Sequence, residues 1–444
     1  MAKQLYGFFL ATLVGYVLDA EAATSDFVLQ ETDEEDILLN EYIGNLLDGS
    51  GMDAHLYFSG DVNSAASFVH QKNAGEMESS YFSILSHVDL KYKKRIDNHA
   101  FGFEIVSRFK TGIVKRGNAI LEKAYIYLEP DVLGEFRCGY SNTAADIFSI
   151  YGDNFFGAYE GPGSGNLGYF YNVSAGAIVV SACPMDDAKA AKIVWQSPTI
   201  RGFSAGLSFT PDSRDANLFK TKHYSVNRSD NQRWDFAGSC AYSKNIITGG
   251  ISYEYGADDD FNAKFAIAGW FGKGKSGNNH IEVRNVRAYH IGSTIGYGNF
   301  KLSIGYTNNG KSLLAKQYAI GSQGVFDENS SYSIDNPGVG IKDGADAGQI
   351  YSIGAIHKFG KLTVSAGYFR SQVKFSSENE KATADVITAA VERKLNKSMG
   401  IYAEYDNIRT RTCSRARAYK KACGLGYGGD NCANALFLGI KFFF

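Results

Sequence analysis

Long stretches of this chain alternate apolar and polar residues in twos, and the pattern runs to its last residue. Within 433–444, Leu436, Leu438, Ile440, Phe442 and Phe444 form one stripe, with Gly439 and Lys441 interleaved. Successive strand side chains point to opposite faces, so one face is apolar and the other carries charge. Phe101, Phe103, Ile105 and Phe109 likewise oppose Glu104, Arg108 and Lys110, and Phe203, Ala205, Leu207 and Phe209 oppose Ser204, Gly206, Ser208 and Thr210. A strand of this kind needs partners on both edges, and a closed barrel in a membrane supplies them. The expected fold is therefore all-β, a transmembrane antiparallel β-barrel.

The other terminus points the same way. Lys3 precedes an apolar run from Leu5 to Leu18 and then Ala20-Glu21-Ala22, the pattern of a secretory signal peptide over residues 1–22. The run is too short for a membrane-spanning helix. Glycine (49), Phe (30) and Tyr (28) are abundant while Pro and Cys stand at 6 each, which suits strands apolar on one face only. Charge is uneven. Residues 23–71 hold ten acids and no Lys or Arg, and from residue 72 onward 44 basic residues face 35 acidic ones.

Residues 23–52 read as an acidic leader with a short helix at 32–48. Thr32 and Glu35 make a capping box, and Leu38/Leu39, Tyr42/Ile43 and Leu46/Leu47 recur at helical spacing. The barrel is expected over 53–444, with strands near 54–62, 81–93, 99–111, 119–129, 134–141, 190–197, 202–210 and 246–257. The second half adds 262–273, 284–297, 299–308, 347–358, 361–371, 382–394, 398–407 and 433–444. Residues 233–243 also alternate. An even count puts both chain ends on one side, so they are assigned to the fourth outer loop and the total is set at sixteen, with eighteen as the next choice. Short turns alternate with long links through 63–80, 142–189, 211–245, 309–346 and 408–432.

Three stretches resemble the general diffusion porins of Gram-negative bacteria, particularly alphaproteobacterial ones. They are Lys123–Leu128 with Gly134–Gly139, Ile193–Pro198 with Gly202–Asp212, and Arg287–Gly292 through Tyr306, joined by the terminal Phe444. Glu160-Gly161 loosely matches the glutamate-glycine pair of their third loop. The acidic helix and the cysteine-rich last loop depart from their pattern. The resemblance implies an outer-membrane channel for passive diffusion of small hydrophilic solutes and ions, a homotrimer, and contact with outer-membrane lipid, lipopolysaccharide and the barrel assembly machinery.

It further implies that residues 142–189 fold inward as a constriction loop, with Asp146, Asp153 and Glu160 as acidic members. Lys91, Arg108, Lys110, Lys123 and Arg137 become candidates for a basic wall opposite. Acids facing bases across a water-filled pore create a transverse field, and the basic excess points to a weak preference for anions. The closing strand should pair with strands 398–407 and 54–62, with Phe442 and Phe444 at the periplasmic girdle and Lys441 inside.

Cys183, Cys240, Cys413, Cys423 and Cys432 lie in or near the long links, and an oxidising compartment makes disulfides among them the expectation. Their spacing lacks the close pairs of a zinc site. Gly163–Gly168 matches G-x-G-x-x-G outside any βαβ context, and no H-E-x-x-H, G-x-S-x-G or Walker sequence occurs. No cofactor, metal, nucleic acid or enzymatic activity is expected. A substrate-specific channel and a surface adhesin are the competing functions.

Overall fold

A computed structural model of the chain describes residues 54–72, 80–96, 98–111, 118–152, 190–213, 241–256, 260–276, 284–312, 346–374, 381–411 and 430–444. The expected signal peptide, the helix expected at 32–48, and Asp153, Glu160, Cys183, Cys240, Cys413 and Cys423 lie outside them.

Sixteen strands follow one another. The first four are β1 (Ala54–Gln71), β2 (Ser80–Ile96), β3 (His99–Thr111) and β4 (Asn118–Pro130). Next come β5 (Glu135–Tyr140), the one-turn helix α1 (Ala144–Ile147), β6 (Ala191–Gln196), β7 (Phe203–Asp212) and β8 (Ala241–Tyr255). Then β9 (Phe261–Ser276), β10 (Val286–Tyr297), β11 (Phe300–Asn308) and β12 (Asp346–Phe359). The last are β13 (Leu362–Lys374), β14 (Lys381–Lys394), β15 (Met399–Arg411) and β16 (Asn431–Phe443). Each is antiparallel to its neighbours in sequence, and β16 returns to β1 to close the barrel.

The seam runs in register from Asp61 opposite Phe443 to Gln71 opposite Ala433. Gly60 N–H donates to the Phe444 carbonyl at 2.9 Å, and Phe444 N–H returns a bond to Gly60 at 3.1 Å. Closure leaves no unpaired sheet edge.

The two faces are inverted relative to a water-soluble protein. Ile126 is 65% exposed on the outside, while Thr248 and His290 are fully buried inside. A hydrocarbon surround and a polar lumen require this arrangement. Near the short-turn rim, rings line the outer face: Tyr92 stacks on Phe103 at 5.6 Å, Phe203 meets Tyr253 at 4.5 Å, and Phe58 meets Phe444 at 5.7 Å. Two-residue links such as Gly298-Asn299, with Gly298 at φ +52°, connect strands at this rim.

Several strands run a few residues past the sequence reading, as β15 does to Arg411, and two differ most. β1 continues nine residues beyond 62, and the sequence hides it because Ser64, Ala66 and His70 interrupt the outward apolar stripe around Phe68. β8 starts at Ala241 and takes in the end of the 233–243 segment. A register shift between Lys244 and Ile247, with Asn245 at φ +49°, interrupts the alternation there.

Candidate functional site

The chain leaves β5 at the long-loop rim and runs along the inner wall as far as Gly152. Thr143 caps α1: its Oγ1 accepts from Asp146 N–H at 3.1 Å, and Asp146 Oδ2 accepts from Thr143 N–H at 3.2 Å. This capping box satisfies two helix-end donors. The next two are satisfied by the wall, Ala144 N–H by Ser208 Oγ at 3.1 Å and Ala145 N–H by Thr248 Oγ1 at 3.3 Å. Further on, His290 Nε2–H donates to the Ile150 carbonyl at 2.8 Å, leaving Nδ1 to accept from the Thr307 hydroxyl at 2.8 Å. Gly152 N–H donates to Ser352 Oγ at 2.9 Å. One short segment is thus tied to β7, β8, β10 and β12.

The wall makes room for it. A Cβ on Gly206 would fall 2.6 Å from Phe148 Cε2, one on Gly292 2.8 Å from Ile150 Cβ, and one on Gly305 3.1 Å from Tyr151 Cα. The buried Ala266 and Ala268 supply the small side chains on β9. The result is a shallow groove across β7–β12 that accepts a main chain at close range.

Opposite this groove, β1–β5 carry interleaved charges. Arg108 Nε lies 3.2 Å from Glu122 Oε1 and donates to His87 Nε2 at 2.7 Å, while His87 Nδ1 meets Asp61 Oδ1 at 3.1 Å. Lys123 Nζ sits 3.4 Å from Glu104 Oε1, and the Tyr125 hydroxyl donates to Glu104 Oε2 at 2.6 Å. Arg137 pairs with Glu135 and lies 5.4 Å from the Tyr125 ring centroid. Lys91 faces Glu104 across the β2–β3 register and lies 5.6 Å from the Tyr127 ring centroid.

Lys91, Arg108, Lys123 and Arg137 therefore come together on one wall, and Lys110 holds the register position between Leu85 and Asn118. The wall is mixed rather than basic. Glu104 was readable from its place opposite the phenylalanine stripe. Glu122 and Glu135 were not, since a register shift between Val106 and Ser107 moves one and the other begins a strand after a turn. Asp146 caps α1 at the start of the 142–189 segment. Among the described residues Cys432 and outward-facing Cys138 carry free thiols, and the other cysteines of the expected disulfides lie outside those residues. Lys441 points inward, 3.5 Å from Glu392 Oε2 and 5.4 Å from the Tyr402 ring centroid.

Comparison with known proteins agrees with this architecture. An uncharacterised protein of Rickettsia bellii is 25% identical over 250 residues, covering 50% of this chain and 51% of that one. One from Rickettsia prowazekii is 27% identical over 161 residues, covering 29% and 37%. The chain thus spans about half the length, or less, of the curated relatives it matches. Among solved structures, Salmonella typhi OmpF superposes with a TM-score of 0.56 at 13% identity, covering 88% of this chain and 98% of that one. The anion-selective porin of Comamonas acidovorans gives 0.52 at 14%, covering 88% and 100%. A family profile described as Gram-negative porin matches residues 49–412. With sixteen strands closed on themselves and that match spanning most of its length, the chain belongs to the Gram-negative porin family and is a protein of the outer membrane.

Proposed function

We propose that the chain forms a water-filled channel through which small hydrophilic solutes and ions diffuse passively across the outer membrane. The observation that carries this reading is the closed barrel whose inner face presents Asp61, His87, Glu104, Arg108, Lys123 and Arg137 to the lumen. A polar wall of this kind replaces part of a solute's hydration and holds no single ligand. The segment 142–189 serves as the constriction loop, and the seating of residues 144–152 on the inner wall supports this. The interleaved wall charges favour weak ion selectivity, with the basic excess from residue 72 onward tilting it toward anions.

The working form is a homotrimer in contact with lipopolysaccharide, inserted by the barrel assembly machinery, as family membership suggests. Liposome swelling with sugars of graded size is the direct test. Uptake that falls smoothly with solute size supports the diffusion channel. Saturable uptake of one sugar would replace it with a specific channel, and no uptake would remove the transport reading.

A further inference from the structure

The outer wall carries charge where a barrel in hydrocarbon should not. Arg370, Asp385 and Arg409 are consecutive cross-strand partners on β13, β14 and β15, all on the outward face toward the long-loop rim, with Arg411 two residues beyond. An outward arginine costs about 2–4 kcal/mol at the bilayer midplane and close to nothing at the interface. These arginines therefore mark the interfacial level. Tyrosines just below agree: the Tyr351 hydroxyl donates to Gln349 at 2.9 Å, Tyr405 to Asn434 at 2.7 Å and Tyr368 to Asp385 at 2.5 Å. Each ring lies on the hydrocarbon side and its hydroxyl points toward water.

Between the arginines is a cleft of about 270 Å³, lined by Tyr368, Arg370, Asp385, Asn407, Arg409 and Arg411. Three guanidinium groups line a cleft that holds one carboxylate. Arg370 lies 3.5 Å from Asp385, and Arg409 donates through Nε to Asn407 at 3.0 Å. Among the described residues Arg411 makes no ion pair. A second hollow of about 280 Å³ adjoins it, lined by Phe68, His70, Tyr405, Asn434 and Leu436. A 2.7 Å hydrogen bond from Asn407 to Asn434 joins the two. One hollow is cationic and the other mainly apolar, with His70 and Asn434 at its edge toward the first.

We propose that this double cleft binds one phosphate-bearing lipid of the outer leaflet. Arg370, Arg409 and Arg411 hold the phosphate, and an acyl chain lies against Phe68, Tyr405 and Leu436. Guanidinium forks match phosphate oxygens in geometry and charge. A soluble anion would use the arginines alone, whereas a lipid uses both halves, and their contiguity on the lipid face commits the site to the lipid.

The test titrates the full chain, refolded in neutral detergent, with phosphatidic acid, diacylglycerol and inorganic phosphate, reading adducts by native mass spectrometry and protection against thermal unfolding. Phosphatidic acid is expected to bind one per chain, about tenfold more tightly than diacylglycerol. Arg409→Gln with Arg411→Gln should remove that preference, and Leu436→Ser should weaken lipid without affecting phosphate. Arg393→Gln, on the same strand face at the opposite rim, should change nothing. Arg411→Gln alone repeats the test if the double variant folds poorly. Equal retention of diacylglycerol, equal protection by inorganic phosphate, or undiminished binding in the folded variants would overturn the proposal. The site rests on outer-membrane residence rather than conduction, so a non-conducting chain that keeps its lipid would sink only the channel reading.

Discussion

Arg108 Nε lies 2.7 Å from His87 Nε2, and through that imidazole the guanidinium joins a chain of groups from Glu122 to Asp61. One arginine thus stands between two carboxylates drawn from β4 and β1. Removing it changes the sign of the local field as well as its size.

Arg108→Gln is expected to shift the channel toward cations, raising the cation-to-anion permeability ratio about twofold at low salt. Glu104→Gln should shift it the other way. Reversal potentials in a salt gradient measure both. At 1 M salt, where screening acts over about 3 Å, the two variants should converge on the wild type. A shift that survives high salt would mean the pore has changed shape.

His290 is the pivot of the seated segment. His290→Ala strips the Ile150 carbonyl of its buried donor, at a cost of about 1–3 kcal/mol. Gly292→Val places a side chain where Ile150 Cβ now sits. Both should loosen residues 144–152, giving larger and noisier single-channel steps in planar bilayers while the barrel stays closed. Steps of unchanged size from a correctly folded variant would show that this segment does not set the aperture.

At the seam, a Cβ on Gly60 would approach Phe444 Cζ to 2.7 Å, against a residue that also bonds Gly60 through its backbone. Gly60→Val should lower the temperature at which the folded band is lost in a heat-modifiability gel by several degrees, about what 1–3 kcal/mol of overpacking produces. Gly298→Ala, at a turn whose added Cβ meets nothing within 4 Å, should cost less despite its positive φ.

The Lys441–Glu392 pair offers a calibrated case. Its side chains are 19% and 24% exposed and the ammonium also faces Tyr402, so a double-mutant cycle should return about 0.5–1 kcal/mol. A coupling near zero would mark the pair as a consequence of the seam rather than a contributor to it.

Each of the sixteen strands left a trace in the sequence because lipid imposes a two-residue period on the outer face. Where the outer face itself carries small or polar residues, as at Ser64, Ala66 and His70, the trace weakens and the sequence pattern of β1 stops early. The bases of the wall were legible one strand at a time. Of their acids only Glu104 was, since Arg108 meets Glu122 and Asp61 only after the sheet curls and shifts register. The groove was least visible. Gly206, Gly292 and Gly305 look like ordinary strand punctuation, and only the seated segment shows why side chains are absent there. Arg409 and Arg411 read as the start of a basic loop, whereas they sit on the outward face of β15.

The way residues 144–152 are held bears on how such a channel can change over generations. Ser208, Thr248 and Ser352 grip backbone amides, and His290 grips a backbone carbonyl, so these moorings are indifferent to most side chains of the inserted segment, Phe148 and Ile150 in the glycine notches excepted. Natural variation could rewrite the segment, and with it the pore's filter, while the berth in the wall stays the same. Substitutions that alter permeation should therefore accumulate in the segment, and those that abolish it should fall on the four side chains and three glycines that moor it.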